Sequence, residues 1–372
     1  MNLLMISGDR SIPEGRKGAF YATLQGLCIQ WDRIDIICPR AKRSGHEAEQ
    51  FRKDLQNHNI FFHPNPGSLF SQVRWITKKG AELHAHYHYS VLTIHEYPPF
   101  YNGRGGLRLA KNIRIPALLE VHHIVGHPLA ANAFEWIGRT LSRFILPAEA
   151  RRSSAVRTVN SDVKNMLTSW GVQAGKIAVV PSFYLDRDLL TQTTEQQKKF
   201  DLVFCARLVP NKGLNRVLEA LSQLPSVSLL VIGDGPKKAA WQAYATSLGV
   251  SDRVTFTGWL PTQKDVVQAI KSARVFLMNS TSEGGPRSAL EAMACGLPVI
   301  TTPVGVMADV VEEGVNGIFT TGEAPDLVQC IHSLLTHPDA CTAMGKEACR
   351  VLETFERTQL IQDYSDFLQS LA

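Results

Sequence analysis

The chain has no Cys-x-x-Cys pair, and its cysteines are odd in number, seven, scattered from Cys28 to Cys349. That pattern excludes a disulfide framework and predicts buried thiols in a reducing, cytoplasmic setting. No stretch approaches the roughly 18 consecutive apolar residues that a membrane-spanning helix needs. The opening Met1-Asn2-Leu3-Leu4-Met5-Ile6-Ser7 is too short for a signal-peptide core and reads as a first strand. Charge of one sign is scarce: the formal excess is +5 over 372 residues, with no dense aromatic-basic patch, so nucleic acid is not an expected partner. Internal repeats and low-complexity blocks are absent too, which sets solenoids aside.

What is present is a globular composition, 44% hydrophobic and 20% charged, with enough chain for two or three domains. Short apolar runs alternate with helical patterns, which predicts parallel α/β architecture. Strands are expected at Leu3–Ser7, Ile34–Cys38, Val91–Ile94, Ala117–Val121, Val156–Asn160 and Ile177–Val180, and helices at Ala19–Trp31, Glu47–Asn57, Ala133–Phe144 and Asp162–Trp170, the last capped by Ser161-Asp162. After the polar segment Thr191–Lys199 a second series begins, with strands Leu202–Ala206, Ser228–Ile232, Val254–Thr257, Val275–Met278 and Val299–Thr301. The spacing of Phe355, Leu360, Ile361, Tyr364, Phe367, Leu368 and Leu371 predicts one long amphipathic helix at the end. The expected division is 1–184, 185–353 and a closing helix over 354–372, giving two doubly wound Rossmann-like domains with the ligand cleft at the strands' carboxyl ends.

The densest motif is Ser282-Glu283-Gly284-Gly285-Pro286-Arg287-Ser288-Ala289-Leu290-Glu291, directly after the strand-like Arg274–Met278. A strand, a glycine loop and a helix start form an anion receiver: glycines let the backbone approach, and free amides with the helix dipole favour phosphate. Glu283 and Glu291, separated by seven residues, can accept hydrogen bonds from hydroxyls. Upstream, Phe204-Cys205-Ala206-Arg207-Leu208-Val209-Pro210-Asn211-Lys212-Gly213 ends a strand on one cation and reaches a helix on another. Arg207 suits bidentate contact with phosphate and Lys212 a point charge. Phosphate donors beside hydroxyl acceptors describe a sugar-nucleotide site. Gly233-Asp234-Gly235 lacks the spacing of a dinucleotide fingerprint. His84-Ala85-His86-Tyr87-His88 would put alternate histidines on one strand face, but no fitting fourth ligand is near, so no metal is expected. The basic residues Lys42, Arg43, Arg52, Lys53, Arg74, Lys78 and Lys79 read as a solvated helix face, with contact to anionic lipid as the alternative.

Arg207 through Gly213, Ile232-Gly233-Asp234-Gly235-Pro236, Val254-Thr255-Phe256-Thr257-Gly258 and Glu283 through Ile300, in this order, resemble the C-terminal half of the family-4 glycosyltransferases, retaining enzymes of the GT-B fold. The resemblance is strong from about residue 200 to 345 and weak before it. It implies that Arg207 and Lys212 bind the donor diphosphate and Glu283 the sugar hydroxyls. Gly284, Gly285, Pro286, Arg287 and Ser288 would line sugar and phosphate, Glu291 would hold the ribose, and Gly258 would sit near the base. It also implies that Pro13-Glu14-Gly15-Arg16-Lys17-Gly18 is the family's glycine loop, with Gly18 at the donor phosphate, although Lys17 replaces the usual adjacent glycine. His122, in Leu119-Glu120-Val121-His122-His123, would contact the donor sugar, with His123 the competing position. The catalytic set so implied is His122, Arg207, Lys212 and Glu283, with no metal, no cofactor, no dedicated base and no covalent nucleophile. The substrates would be a UDP- or GDP-sugar and an acceptor glycan, lipid-linked glycan or small molecule. A nucleotide-sugar epimerase of the same fold and a non-catalytic sugar-nucleotide binder are the alternatives.

Overall fold

The computed structural model describes all residues except Ser11, 16–18, 42–45, Ala131, Phe183 and 193–195. The expectations for Lys17, Gly18, Lys42 and Arg43 fall outside the described residues. Among those described, thirteen strands build two wholly parallel sheets. The first contains β1 (Asn2–Ile6), β2 (Arg33–Cys38), β3 (Ile60–Pro64), β4 (Val91–His95), β5 (Ala117–Val121), β6 (Ala155–Thr158) and β7 (Ile177–Val179), in the order β3-β2-β1-β4-β5-β6-β7. The second contains β8 (Phe200–Cys205), β9 (Leu229–Ile232), β10 (Val254–Gly258), β11 (Ala273–Met278), β12 (Val299–Thr301) and β13 (Gly317–Phe319), in the order β10-β9-β8-β11-β12-β13. In each sheet the order reverses beside the first strand, between β1 and β4 and between β8 and β11. That reversal is where open α/β sheets receive ligands, at the carboxyl ends.

Parallel strands covered on both faces need continuous apolar runs rather than alternation. Leu3, Leu4, Met5 and Ile6 of β1 are all fully buried, as are Leu202 and Val203 of β8. Helix Leu214–Ser222 buries Leu214, Val217, Leu218 and Leu221, a 3.6-residue stripe that joins Leu202, Phe204 and Val231 in one core.

The chain divides into two compact units: Met1–Ile124, Ile137–Ser182 and Thr358–Ala372 form one, and Val125–Trp136 with Phe183–Arg357 the other. This differs from a division at residue 184, because Val125–Trp136 goes with the second unit. A separate short helix, Val351–Phe355, precedes the closing helix, which runs Arg357–Gln369, within the expected 354–372. Glu356 between them is extended because Leu185 intercepts the chain there, donating to Phe355 O at 2.8 Å and accepting from Arg357 N at 3.2 Å. In the first unit, Trp31 Nε1 donates to Ser365 Oγ of the second of these helices at 3.0 Å.

Other expectations are corrected. His84 and His86 lie in helix Gln72–Tyr87, with His88 its left-handed cap, so they share no strand face. Asn160, not Ser161 or Asp162, caps helix Ser161–Ser169, accepting from Val163 N at 2.8 Å. The helix expected to end at Phe144 runs Ala133–Arg152 through Pro147. Edge strands β3 and β13 went unforeseen: β3 is mostly half-exposed and closes on Pro64, and β13 has three residues, so neither shows a buried apolar run. No helix among the described residues is long and apolar enough to cross a membrane.

Candidate active site

In the second unit, Arg207 and Lys212 follow the end of β8 and Glu283 follows the end of β11. Beyond β8 the chain passes Arg207, which is exposed and has no protein partner among the described residues, and makes a 3-10 turn over Pro210–Lys212. Gly213 is left-handed (φ 66°), and a Cβ there would lie 2.3 Å from Asn279 O, so only glycine lets this turn pass so close beneath the β11 loop. Thr281 N donates to Asn211 O at 2.8 Å, and Asn211 Nδ2 to Ser282 O at 3.2 Å. These bonds clamp the two loops together and bring Lys212 Nζ against Glu283 Oε1 in an ion pair. Ser280 Oγ donates to the same oxygen at 2.7 Å. The Lys212 and Glu283 side chains are 17% and 12% exposed, so solvent and ligand can reach the pair.

Helix Arg287–Ala294 starts at Pro286. Its Ser288 Oγ donates to Cys205 O at 2.7 Å, tying the helix start to the end of β8. Arg287 Nε and Gln263 Nε2 both donate to Glu291 Oε1, at 2.8 and 2.7 Å, leaving Oε2 without a protein partner among the described residues. Burial raises the Glu291 pKa above the usual carboxylate range, against the pull of Arg287. Gly258 closes β10 at φ 73° and accepts at its carbonyl from Gly233 N at 2.9 Å. Gly284 O accepts from Val306 N at 3.1 Å. Of the residues singled out in the sequence, the structure therefore brings Lys212 and Glu283 into contact and sets Arg287 on Glu291 and Ser288 on β8. Arg207 is not in contact with them.

His122 belongs to the first unit, just beyond β5. Its Nε2 lies 3.4 Å from Oε2 of Glu120, two residues back on the same strand face. Glu120 is fully buried. Its Oε2 also accepts from Arg157 Nη1 of β6 at 2.5 Å, and its Oε1 from the Tyr364 hydroxyl at 2.8 Å. His95 Nε2, at the end of β4, lies 3.1 Å from Oε1. Burial alone would raise this carboxyl, but His95, Arg157 and the bond from His122 outweigh it and hold it well below the usual range. The His122 ring keeps 40% of its side-chain surface. The protein packed around its inner edge still lowers its pKa below that of a free imidazole, by more than Glu120 raises it. His122 is thus a neutral ring with one edge turned to a buried carboxylate. Glu120, His95, Arg157, Tyr364 and Ser280 were not foreseen. The Glu120-x-His122 alternation, which puts both side chains on one face, is the signal that could have found Glu120.

The family profile described as Glycosyltransferase Family 4 matches residues 21–184, and that described as Glycosyl transferases group 1 matches residues 186–351. The sulfoquinovosyl transferase of Arabidopsis thaliana is 25% identical over 277 residues, 71% of this chain and 53% of that protein. The lipopolysaccharide 1,6-galactosyltransferase of Salmonella typhimurium is 29% identical over 185 residues, 48% of this chain and 51% of that protein. The chain spans about half the length of these curated relatives. Among solved structures, Anabaena HepE in complex with UDP and glucose is similar in fold, with a TM-score of 0.77 at 20% identity over the whole of both chains. Two successive family profiles covering nearly all of the chain, on a GT-B architecture of two Rossmann-like sheets, show that it belongs to the family-4, group 1 glycosyltransferases.

Proposed function

We propose that the protein is a retaining glycosyltransferase that moves a hexosyl group from a UDP- or GDP-sugar to an acceptor hydroxyl, in the synthesis of a polysaccharide, glycolipid or glycoconjugate. The observation that carries this reading is the Lys212–Glu283 pair at the β8/β11 reversal, with Arg207 also following β8 and helix Arg287–Ala294 following the Glu283 loop. A diphosphate entering there meets two cations and the unspent amides of a helix N-terminus. It would take Lys212 from Glu283. The carboxylate, still held by Ser280, would then accept from sugar hydroxyls. Oε2 of Glu291 is the matching acceptor for a ribose hydroxyl. Gly284, Gly285 and Pro286 would line the sugar and its phosphate, and Gly258 would border the base. As the glycosidic bond breaks, negative charge grows on the leaving diphosphate, and Arg207 and Lys212 lower the barrier by stabilising it. These side chains supply that charge without a metal ion or other cofactor. The departing phosphate oxygen would take the acceptor proton on the face it leaves, which retains configuration. Neutral His122 would hydrogen-bond the donor sugar, its ring oriented by Glu120. The UDP and glucose bound by HepE and the sugar transfers named for the curated relatives support the same substrate class.

The test is a thermal-shift and hydrolysis panel of UDP- and GDP-sugars, with and without EDTA. A ligand that binds only the folded state raises apparent stability by mass action. Stabilisation by one base series, with slow EDTA-insensitive release of UDP or GDP, is the expected result. No stabilisation by any nucleotide sugar would refute the donor site.

A further inference from the structure

The second unit also holds a pocket of about 660 Å³, lined in part by Ser280 and Thr281 of the Glu283 loop, within the size range of small-molecule sites. It opens at the carboxyl ends of β11, β12 and β13. Asn279 lies at its base and is 3% exposed. Its Nδ2 donates to Gly213 O at 3.2 Å and to Gly322 O at 3.0 Å. Two backbone carbonyls thus fix which way the amide faces, and Oδ1 is left buried with no partner among the described residues. A buried acceptor without a donor costs free energy on the order of 1–3 kcal/mol, so a native one calls for an explanation. The space over it is kept open by Gly322 (φ 87°), where a Cβ would stand 3.0 Å from Asn279 Oδ1 and 3.3 Å from Thr302 Cγ2.

The surrounding chemistry selects the occupant. Thr302 Oγ1 donates to Ser280 O at 2.6 Å, and Thr320 Oγ1 to Asp326 Oδ2 at 2.6 Å. Their protons are spent on these acceptors, and Thr320 Oγ1 also accepts from Gly322 N at 3.1 Å, so neither hydroxyl has a proton left to donate to the pocket. Asp326 and Glu323 line the rim, two carboxylates against one arginine among the described lining residues, Arg216, which pairs with Glu219 and Glu323. A wall so rich in acceptors and carboxylates repels phosphate and asks for a donor of several hydrogen bonds. Pro210, Pro303, Val304 and Phe319 add apolar surface for C–H faces. Hydroxyls around an apolar ring are the chemistry of a neutral carbohydrate.

We infer that this pocket binds a neutral, hydroxyl-bearing sugar ring of the acceptor, with Asn279 Oδ1 accepting from one of its hydroxyls. The assignment to the acceptor rests on the transferase reading above; the binding of a neutral sugar does not. Ser280 links the two places, since its carbonyl accepts from Thr302 Oγ1 and its hydroxyl donates to Glu283.

Saturation-transfer NMR with methyl α-D-glucopyranoside, methyl α-D-galactopyranoside and maltose, with glucose 6-phosphate as the anionic comparator, tests it. The panel is run on the wild type, on Lys212→Ala and Glu283→Ala, and on two pocket variants, Thr321→Arg and Asn215→Leu, with folding checked by thermal melting. Thr321 is exposed, Asn215 is the second residue of helix Leu214–Ser222, and both line the pocket. The expected result is a signal from at least one neutral sugar, retained in Lys212→Ala and Glu283→Ala and reduced about tenfold or more in the pocket variants, the scale of one lost hydrogen-bonding site. Three results would overturn the inference. No neutral sugar binds the wild type; or the signal survives both pocket variants and vanishes in Glu283→Ala; or glucose 6-phosphate binds more tightly than the neutral sugars. A wild type that binds neutral sugar but neither is stabilised by nor hydrolyses any nucleotide sugar would sink the transferase reading and leave the pocket standing.

Discussion

The two sheets end in charge clusters of opposite design. Beyond β5, Glu120 is fully buried and saturated by Arg157, His95, His122 and Tyr364. Beyond β11, Glu283 shares a partly exposed pair with Lys212, and exposed Arg207 beyond β8 has no side-chain partner among the described residues. A buried, fully partnered carboxylate holds elements in place, because removing one partner strands a charge. A reachable pair with an excess cation holds little structure and can exchange partners with an anion. The same residue types therefore serve as a brace in one unit and as a ligand site in the other, and burial makes the difference. His122 is the point where the brace touches solvent.

The sharpest break of this comparison is Glu120→Ala, which leaves Arg157, itself 2% exposed, without its carboxylate. Folding stability should drop by about 3–5 kcal/mol, read as the midpoint of chemical denaturation; a loss below about 1 kcal/mol would make this cluster no more than a surface pair. Lys212→Ala and Glu283→Ala should behave in the reverse sense. Each should cut turnover about 10²-fold or more, the scale of losing one electrostatic stabiliser, with the melting temperature nearly unchanged. Wild-type rates in both would remove the donor site from this loop. His122→Ala should slow transfer by a smaller factor and leave nucleotide affinity in place, as measured by titration with UDP and GDP. Unchanged kinetics would move the role to His123.

The smallest expected effect sharpens what a carboxylate does when burial is not matched by a cation. Glu96 and Glu149 meet in the first unit: a Cβ on Gly103 would lie 2.0 Å from Glu96 Oε2 and 2.3 Å from Glu149 Oε2. Burial pushes Glu149 up to about 7, and burial with the Glu149 charge raises Glu96 well above the usual range. Between the free glutamate value of about 4.3 and about 7, the folded state keeps a proton that the unfolded chain has lost. The stability this pair contributes is therefore complete below the free value and falls as pH rises through that window. Glu149→Gln removes the Glu149 share of the dependence and the charge that helps to raise Glu96. The melting temperature of the variant relative to wild type should climb from about pH 5 to about pH 8, and a flat difference would exclude the shared proton.

Legibility followed the distance along the chain over which each feature is built. The Glu283–Glu291 loop and helix start could be read because strand, glycines and helix are consecutive. The Gln72–Tyr87 helix was hidden by the alternation of His84, His86 and His88, although Gln72, Ile76, Gly80 and Leu83 mark its buried stripe. Periodicity over the whole window outweighs two-residue alternation at one end. The Glu120 brace draws on β4, β5, β6 and the last helix, and no window contains them. Asn279 reads as an ordinary polar residue after a strand until Gly213 and Gly322 are seen to hold its amide.

By itself the sequence determined the parallel α/β plan, the succession of two sheets and the residue types at the second sheet's anion-receiving loop, because these depend on local periodicity, glycine placement and helix starts. Only the tertiary structure decided which charges are neutralised and which stay available. Tyr364 reaches Glu120 across 244 positions, and the pairing and burial that set a carboxylate's charge arise only when such distant segments pack together.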